Sequence, residues 1–417
     1  MKVLHVIPSL SPFLGGPTTV VINLVKALLN NGVEAQIVTT NHNGSKPLDV
    51  PLYQKIEYKQ VPVWFLPYFS PPMKEFIFSP ALTKWLWQNI KNYDILDNHY
   101  LFSYAPSCAA AIARWHNIPY TIRTQGQLTP WALTQSKRKK QIYSMLVERH
   151  NLNHAAAIHC TSDTEAQDVR KYGIKAPIIK LPLGVEQVDI NPQAVGQLHS
   201  VYSISPQTPI ILFLSRLCHN KYPDMLIKAL SLINADSLDF HLLMAGTGEP
   251  DYVNYLKQLV ISLNLTNRVT FTGFVQNEQK NLLLQSADLF VLPSVSENFS
   301  IATAEAMAAG IPVVVTPGVQ LASEIIAANA GYTVEQNVNA LHIAISDLLT
   351  SPKLRQQLGE NGRRQACSRY CPNEIASNLA RAYSAIIHKT DFCESQIPIV
   401  QEYESINNYY KTAMPRY

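Results

Sequence analysis

Cysteine is scarce and irregularly placed, with six residues in 417 at positions 108, 160, 218, 367, 371 and 393 and no CxxC pair. That pattern excludes a disulfide framework and a thiolate zinc site, and it fits a reducing compartment. Long hydrophobic runs are missing as well. The opening MKVLHVIPSL carries one lysine and a short apolar run, less than a signal-peptide core and far below a membrane span, so it reads as the first buried strand of a soluble, cytoplasmic protein. No GxGxxG follows that strand, and there is no GxxxxGK[ST], no HExxH and no Asp-x-Asp. These absences disfavour NAD, ATP and zinc enzymes and a nucleotide held through a metal. Internal repeats and low-complexity tracts are also absent. Charge of one sign is in small excess, a net +4, but it is unevenly spread: 19 basic against 12 acidic residues in 1–190, and 15 against 18 thereafter.

What is present is an ordinary globular composition, 47% apolar and 15% charged, on a chain long enough for two domains. Short β-branched runs alternate with longer helical patterns. KVLHVI, the helical TTVVINLVKALLNNG and VEAQIVTT make a βαβ opening with Gly32 as the helix stop. YDILDNH, PYTIRT and AAAIHCTS continue it, the last followed by a helix from about Asp163 to Tyr172. The turn-rich KLPLGVEQVDINPQ interrupts the pattern, and PIILFLSRL restarts it. Further strands are read at FHLLMAGTGE, RVTFTGFV, ADLFVLPS and IPVVVT. The expected organisation is α/β, with two Rossmann-like domains at 1–190 and 191–387 and a polar tail at 388–417.

Three constellations stand out. In ADLFVLPSVSENFSIATAEAMAAGIPVVV a strand ends near Pro293, a polar loop follows, and a helix of small residues runs from about Ser300 to Gly310. Its loop therefore lies at the carboxyl end of a parallel strand, where open α/β sheets bind ligands. Glu297 precedes the helix and Glu305 lies within it. Were both helical, they would stand about 12 Å apart, beyond the roughly 5 to 9.5 Å of a glycosidase carboxylate pair; two separate ligand contacts are expected instead. A solvated loop and helix carboxylate is the alternative. Arg216 and Lys221, in SRLCHNKYPDML, follow a buried strand where two cations can neutralise a diphosphate, although two solvated surface cations fit the pattern as well. Gly15 and Gly16, between the first strand and first helix, permit close backbone approach to a phosphate or make a simple turn. Gly246 and Gly248 in MAGTGEP read as turn residues.

Together, Gly15-Gly16, Arg216 with Lys221, AGTGEP, FTGFV, ADLFVLPS and Glu297-x7-Glu305 followed by AMAAGIPVVV resemble the retaining GT-B glycosyltransferases of family 4, over residues 1 to 387. The resemblance implies two Rossmann-like domains facing a cleft, with a sugar nucleotide held mainly by the C-terminal one. Arg216 and Lys221 would clamp the donor diphosphate, with Gly15 and Gly16 facing it. Gly246, Gly248 and Val275 would line the donor site. Glu305 would hold the ribose hydroxyls, while Glu297 and the amides of Asn298, Phe299, Ser300 and Ile301 would hold the donor sugar. Retention of configuration, no metal and no cofactor beyond the sugar-nucleotide co-substrate are implied. DNHYLFSYAP and TIRTQGQLTPWAL resemble the polysaccharide branch, whose common His-Gly is Gln125-Gly126 here. His99 then becomes the candidate polar contact near the acceptor, bordered by Arg123, Gln125 and Trp131; an ordinary loop histidine is the alternative.

The leading reading is transfer of a hexose, from a UDP-sugar or next GDP-mannose, to a glycan or lipid-linked glycan. A non-catalytic sugar-nucleotide or glycan binder, and a GT-B epimerase or phosphorylase, remain alternatives. Nucleic acid is not expected as a partner. SKRKKQIYSMLVERH places Lys137, Arg138, Lys139 and Lys140 ahead of Ile142, Met145, Leu146 and Arg149 at helical spacing. Two readings are open: a solvated helix start whose apolar face packs inward, or a segment that, with the aromatics of FIFSPALTKWLWQ, rests on the inner face of an anionic membrane.

Overall fold

A computed structural model describes residues 1–390 apart from 13–14, 45, 70–76, 188–190 and 192. The tail from 391 on, and Phe76 of the aromatic segment, lie outside the described residues. The first sheet holds β1 (Lys2–Ser9), β2 (Glu34–Thr40), β3 (Lys55–Tyr58), β4 (Val61–Leu66), β5 (Ile95–His99), β6 (Tyr120–Arg123), β7 (Ala157–Cys160) and β8 (Ile178–Lys180). Its order is β3-β4-β2-β1-β5-β6-β7-β8, parallel except for the β3–β4 hairpin. The second sheet, in the order β11-β10-β9-β12-β13-β14, is all parallel. It comprises β9 (Ile210–Leu214), β10 (His241–Ala245), β11 (Val269–Gly273), β12 (Leu289–Leu292), β13 (Val313–Val315) and β14 (Gly331–Thr333).

Helices cover both faces of such sheets, so their central strands are apolar throughout, as IILFL in β9, LFVL in β12 and VVV in β13 show. Strand order reverses between β1 and β5 in the first sheet and between β9 and β12 in the second. Loops leaving neighbouring strands at such a point diverge and open a crevice at the carboxyl edge. Gly15, Gly16, Arg216, Lys221, Gly246, Gly248 and Glu297 to Ile301 lie in loops after these strands or their neighbours or at the start of the helix that follows, whereas Val275 follows the edge strand β11 and Glu305 sits within the helix Ile301–Ala308. The helix Gly16–Asn30 ends as expected, with Gly32 at φ 76° and its N–H on the Leu29 carbonyl at 3.0 Å.

The chain crosses back after the second sheet. Residues of the helix Pro372–His388, Ala376, Leu379, Ala382 and Tyr383, pack in the core over the first sheet beside the helix Gly16–Asn30. The sequence division had assigned 372–387 to the second unit; packing joins them to the first.

Strand register explains what holds that helix. It sets His5 beside Asp97, Asp97 beside Thr121, and Arg123 between His99 and His159. Side chains two residues apart share a face, so these groups meet on one side of the sheet, fully or almost fully buried. Asp97 is the hub. Its Oδ2 accepts from Arg123 Nε at 2.7 Å and Tyr383 Oη at 2.6 Å, and its Oδ1 accepts from Thr121 Oγ1 at 2.9 Å. His5 Nδ1 and His99 Nε2 lie 3.1 Å apart. Burial works against the Asp97 carboxylate, yet Arg123 and the surrounding histidines outweigh it and hold the group below its ordinary value. Burial pushes His5 down from 6.5 to about 4 and His159 to about 3, and holds His99 well below the usual value. The expectation that His99 and Arg123 border an acceptor is therefore corrected: both are enclosed, at 0% and 4% exposure, and engaged with Asp97.

These histidines fix a pH dependence. Their folded-state values lie below the unfolded value of 6.5, so the unfolded chain binds more protons and stability falls as pH drops through 6.5 toward 4. His5 alone should cost about 2 kcal/mol between pH 7 and pH 5. Denaturant melts at the two pH values check this. In the variant His5→Asn the loss should shrink, and an unchanged loss would contradict the assignment.

Candidate functional site

Four loops lie at the carboxyl edge of the second sheet. After β9, Arg216 is exposed, whereas Lys221 is buried at 6%, drawn in by a 3-10 turn over His219–Lys221. After β10, Gly246 and Gly248 run against the β9 loop so tightly that an added Cβ would lie 1.8 Å from the Ser215 carbonyl oxygen and 1.9 Å from that of Leu217. Glycine is required there by contact with backbone, which the reading as turn residues does not capture. Val275 follows β11 and is buried. After β12 the segment from Ser294 leads into the helix Ile301–Ala308, with Ser300 at φ 54° and its hydroxyl 2.7 Å from that of Thr303. Phe299 is 3% exposed with its ring edge-on to Tyr370, so its side chain belongs to the core.

The two glutamates are separately placed. Glu297 lies in the loop, where its N–H bonds the Gly318 carbonyl at 2.9 Å and its own carbonyl accepts from Gln320 N at 3.1 Å. Its carboxylate pairs with Lys221. Glu305 is inside the helix, and its carboxylate lies 2.6 Å from Lys280 Nζ, on the helix Asn277–Ser286. Lys280 was not singled out from the sequence. Each carboxylate thus has a lysine partner, as a partly buried charge must.

The first sheet supplies the opposite wall. Gly15 adopts φ 68° and ψ −129°, and a Cβ on Gly16 would lie 3.1 Å from Ile301 Cδ1, so this loop faces the start of the Ile301–Ala308 helix. Burial raises the Tyr100 phenol above its usual value, while Arg216, from the other sheet, acts to lower it. After β6, Gln125 takes φ 48° and Gly126 φ 71°. A Cβ on Gly126 would lie 2.8 Å from Asn298 Cβ. Trp131 stands 40% exposed on the short helix Pro130–Thr134.

One residue that the sequence did not single out organises this junction. Glu165, 1% exposed, accepts from Thr124 Oγ1 at 2.6 Å, Gly126 N at 2.7 Å, Thr161 N at 2.7 Å and Thr161 Oγ1 at 2.8 Å. Across the cleft, Asn298 Nδ2 donates to Glu165 Oε2 at 3.2 Å and to Thr161 Oγ1 at 3.1 Å, and Ser162 Oγ lies 2.5 Å from Gln320 Oε1. Two amide oxygens here, Gln125 Oε1 and Asn298 Oδ1, are buried without a protein partner. Orphaned acceptors in a cleft call for donors from outside the chain.

Two doubly wound sheets with their switch points facing one another define a GT-B architecture. The model for glycosyl transferases group 1 matches residues 197–365, and that for glycosyltransferase family 4 matches residues 14–187. The chain belongs to the group 1 glycosyltransferases. An uncharacterized glycosyltransferase of Methanocaldococcus jannaschii is 31% identical over 213 residues, 50% of this chain and 54% of that protein, so the match spans about half of each. A D-inositol 3-phosphate glycosyltransferase of Jonesia denitrificans is 22% identical over 88% of this chain and 91% of its own length. Anabaena HepE, solved with UDP and glucose, superposes with a TM-score of 0.75 at 19% identity over 92% of this chain and 100% of that one, a likeness of fold.

Glu165→Gln tests the junction. An amide offers one acceptor oxygen in place of two and turns N–H groups toward N–H donors, so stability should fall by at least about 2 kcal/mol. Hydrogen exchange at the Gly126 amide should accelerate in parallel. Unchanged melting and exchange would show that the carboxylate does not hold this loop.

Proposed function

We propose that the protein transfers a hexose from a nucleotide sugar, with retention of configuration, to a glycan or lipid-linked glycan in polysaccharide biosynthesis. The observation that carries this reading is the pair of lysine–glutamate contacts, Lys221–Glu297 and Lys280–Glu305, at the carboxyl edge of the second sheet opposite Gly16. Cations there suit a diphosphate, and carboxylates suit the hydroxyls of a ribose and a sugar. A UDP-sugar is the favoured donor, supported by the UDP and glucose bound to HepE, with GDP-mannose next.

In this mechanism Arg216 and Lys221 take the diphosphate, and the N-terminus of the Ile301–Ala308 helix adds its partial positive charge. Glu305 holds the ribose, and Glu297 with the amides of Asn298 to Ile301 holds the sugar. The bond from the anomeric carbon to the β-phosphate oxygen breaks, and its electron pair leaves with the diphosphate. Negative charge growing on that oxygen is what the two cations stabilise. The acceptor hydroxyl attacks from the face the diphosphate vacates, and its proton passes to the leaving phosphate oxygen. Gln125 and Asn298 offer their unpartnered oxygens to hydroxyl donors. With two cations on the diphosphate, no metal and no further cofactor is called for, and activity should survive EDTA.

Arg216→Ala and Lys221→Ala should each lower turnover about ten- to a hundredfold, since a charge-assisted hydrogen bond contributes about 1.5 to 3 kcal/mol. Wild-type rates in both would sink the clamp.

Glu305→Ala should weaken binding of free nucleotide, whereas Glu297→Ala should spare it and reduce transfer. Calorimetry showing equal losses of nucleotide affinity would contradict these roles. A thermal-shift panel of UDP-, GDP- and ADP-sugars, followed by a donor-hydrolysis assay, tests the reading as a whole. Binding without hydrolysis or transfer would mark a binder, and release of nucleotide with an epimerised sugar and no acceptor would mark an epimerase.

A further inference from the structure

The stretch 137–153 folds as the helix Lys137–Tyr143, a π-helical turn Ser144–Glu148 and the helix Arg149–Asn153. Its inner face is tied down. Glu148 accepts from Ser107 Oγ at 2.7 Å and Phe102 N at 3.1 Å, and Tyr143 Oη donates to the Ser103 carbonyl at 3.2 Å. The outer face carries Ile142, Met145 and Leu146 at 59%, 75% and 68% exposure. The apolar residues therefore do not pack inward, which removes one of the two readings open from the sequence. Lys137, Arg138, Lys139 and Arg149 flank this face and are exposed as well, Arg149 with part of its guanidinium against the Tyr172 ring and carbonyl. Lys140 does not join them: its ammonium lies 2.6 Å from the Ala132 carbonyl oxygen and over the Phe102 ring. The one acid between 130 and 153 is Glu148, which is 2% exposed.

Three neighbouring large apolar side chains in water are unusual unless something covers them. The rim decides what. Four cations on a stretch without an exposed acid match a surface that is negative and has an apolar layer just beneath its headgroups. A second copy of the chain fits poorly, because a two-fold contact would set this basic rim against itself. We infer that the outer face of residues 137–149 docks on an anionic lipid bilayer, with Ile142, Met145 and Leu146 reaching below the headgroups and Lys137, Arg138, Lys139 and Arg149 among the phosphates.

The inner face of the same stretch bonds residues 102 and 103, which follow β5, and through Ser107 the helix after them. Leu101 N in turn lies 2.5 Å from Gln127 Oε1, in the loop after β6. Docking would thus bring the bilayer next to the loops that face the second sheet, where a lipid-linked acceptor would enter. That last step rests on the acceptor assigned under the proposed function; the docking does not.

The test is sedimentation of the full chain with vesicles of mixed phosphatidylcholine and phosphatidylglycerol, and of phosphatidylcholine alone. The wild type should pellet with the anionic vesicles at low salt, leave them at high salt, and ignore the neutral ones. Each basic residue contributes a factor of about five, so the triple variant Lys137→Ser, Arg138→Ser, Lys139→Ser should partition roughly a hundredfold less. Met145→Ser with Leu146→Ser should lower partitioning by about tenfold. Melting temperature and donor hydrolysis should be unchanged in both variants, since none of these side chains supports the core or the cleft. A wild type that stays in the supernatant at low salt overturns the inference. So does a dimer that Met145→Ser with Leu146→Ser dissociates, which would make this face a protein interface. Loss of donor binding in the wild type would overturn the proposed function and leave the docking result standing.

Discussion

The Asp97 carboxylate is the constraint on which the first sheet depends. A buried charge is costly unless it is paired and hydrogen-bonded. Arg123, Thr121 and Tyr383 meet that requirement from a neighbouring strand and from the last described helix. Asp97 and Arg123 lie near the ends of β5 and β6, so their pairing fixes where Tyr100 and Gln125 begin their loops. Because Tyr383 comes from a segment that follows the second sheet, the same carboxylate ties the chain's crossing back to the strands of the first lobe.

A second buried carboxylate works between the lobes. Glu165 holds the Thr124–Gly126 turn on one side and Asn298 on the other. Its bond to the Asn298 amide nitrogen leaves that residue's oxygen without a protein partner. Asp97 and Glu165 thus divide the work: the first sets the strands, and the second sets the turn and its contact across the cleft. Neither needs to touch a ligand to matter for one.

Much of this was legible in the sequence where local chemistry suffices. Continuous apolar runs gave away the central strands, Gly32 its helix end, and the small residues after Ser300 a helix packed at close range. The shorter outer elements were not legible. The β3–β4 hairpin turns at Lys59 and Gln60, at φ 51° and 66°, where glycine or asparagine is the usual signal. Long-range pairing was hidden for a different reason. Asp97 and Tyr383 are 286 residues apart, and nothing near either announces the other. His99 was misplaced because a histidine at a strand end looks the same in sequence whether its side chain faces a cleft or an interior; only the register with His5 and Arg123 distinguishes them. Lys280 was missed because a lysine early in a helix is ordinarily solvated, and its relation to Glu305 depends on how two helices pack.

The paired charges in the cleft bear on selectivity under the proposed reading. Lys221 is paired with Glu297. An anion that draws Lys221 away leaves a partly buried carboxylate behind it, and the cost of that orphaned group offsets the new ion pair. Inorganic phosphate or a bare nucleoside diphosphate supplies the anion and nothing for Glu297. A sugar nucleotide supplies both, since its diphosphate meets the cation while a sugar hydroxyl donates to the freed carboxylate. Discrimination against the product nucleotide then follows from leaving a partly buried acceptor unsatisfied, the kind of penalty that separates ligands more sharply than any added attraction.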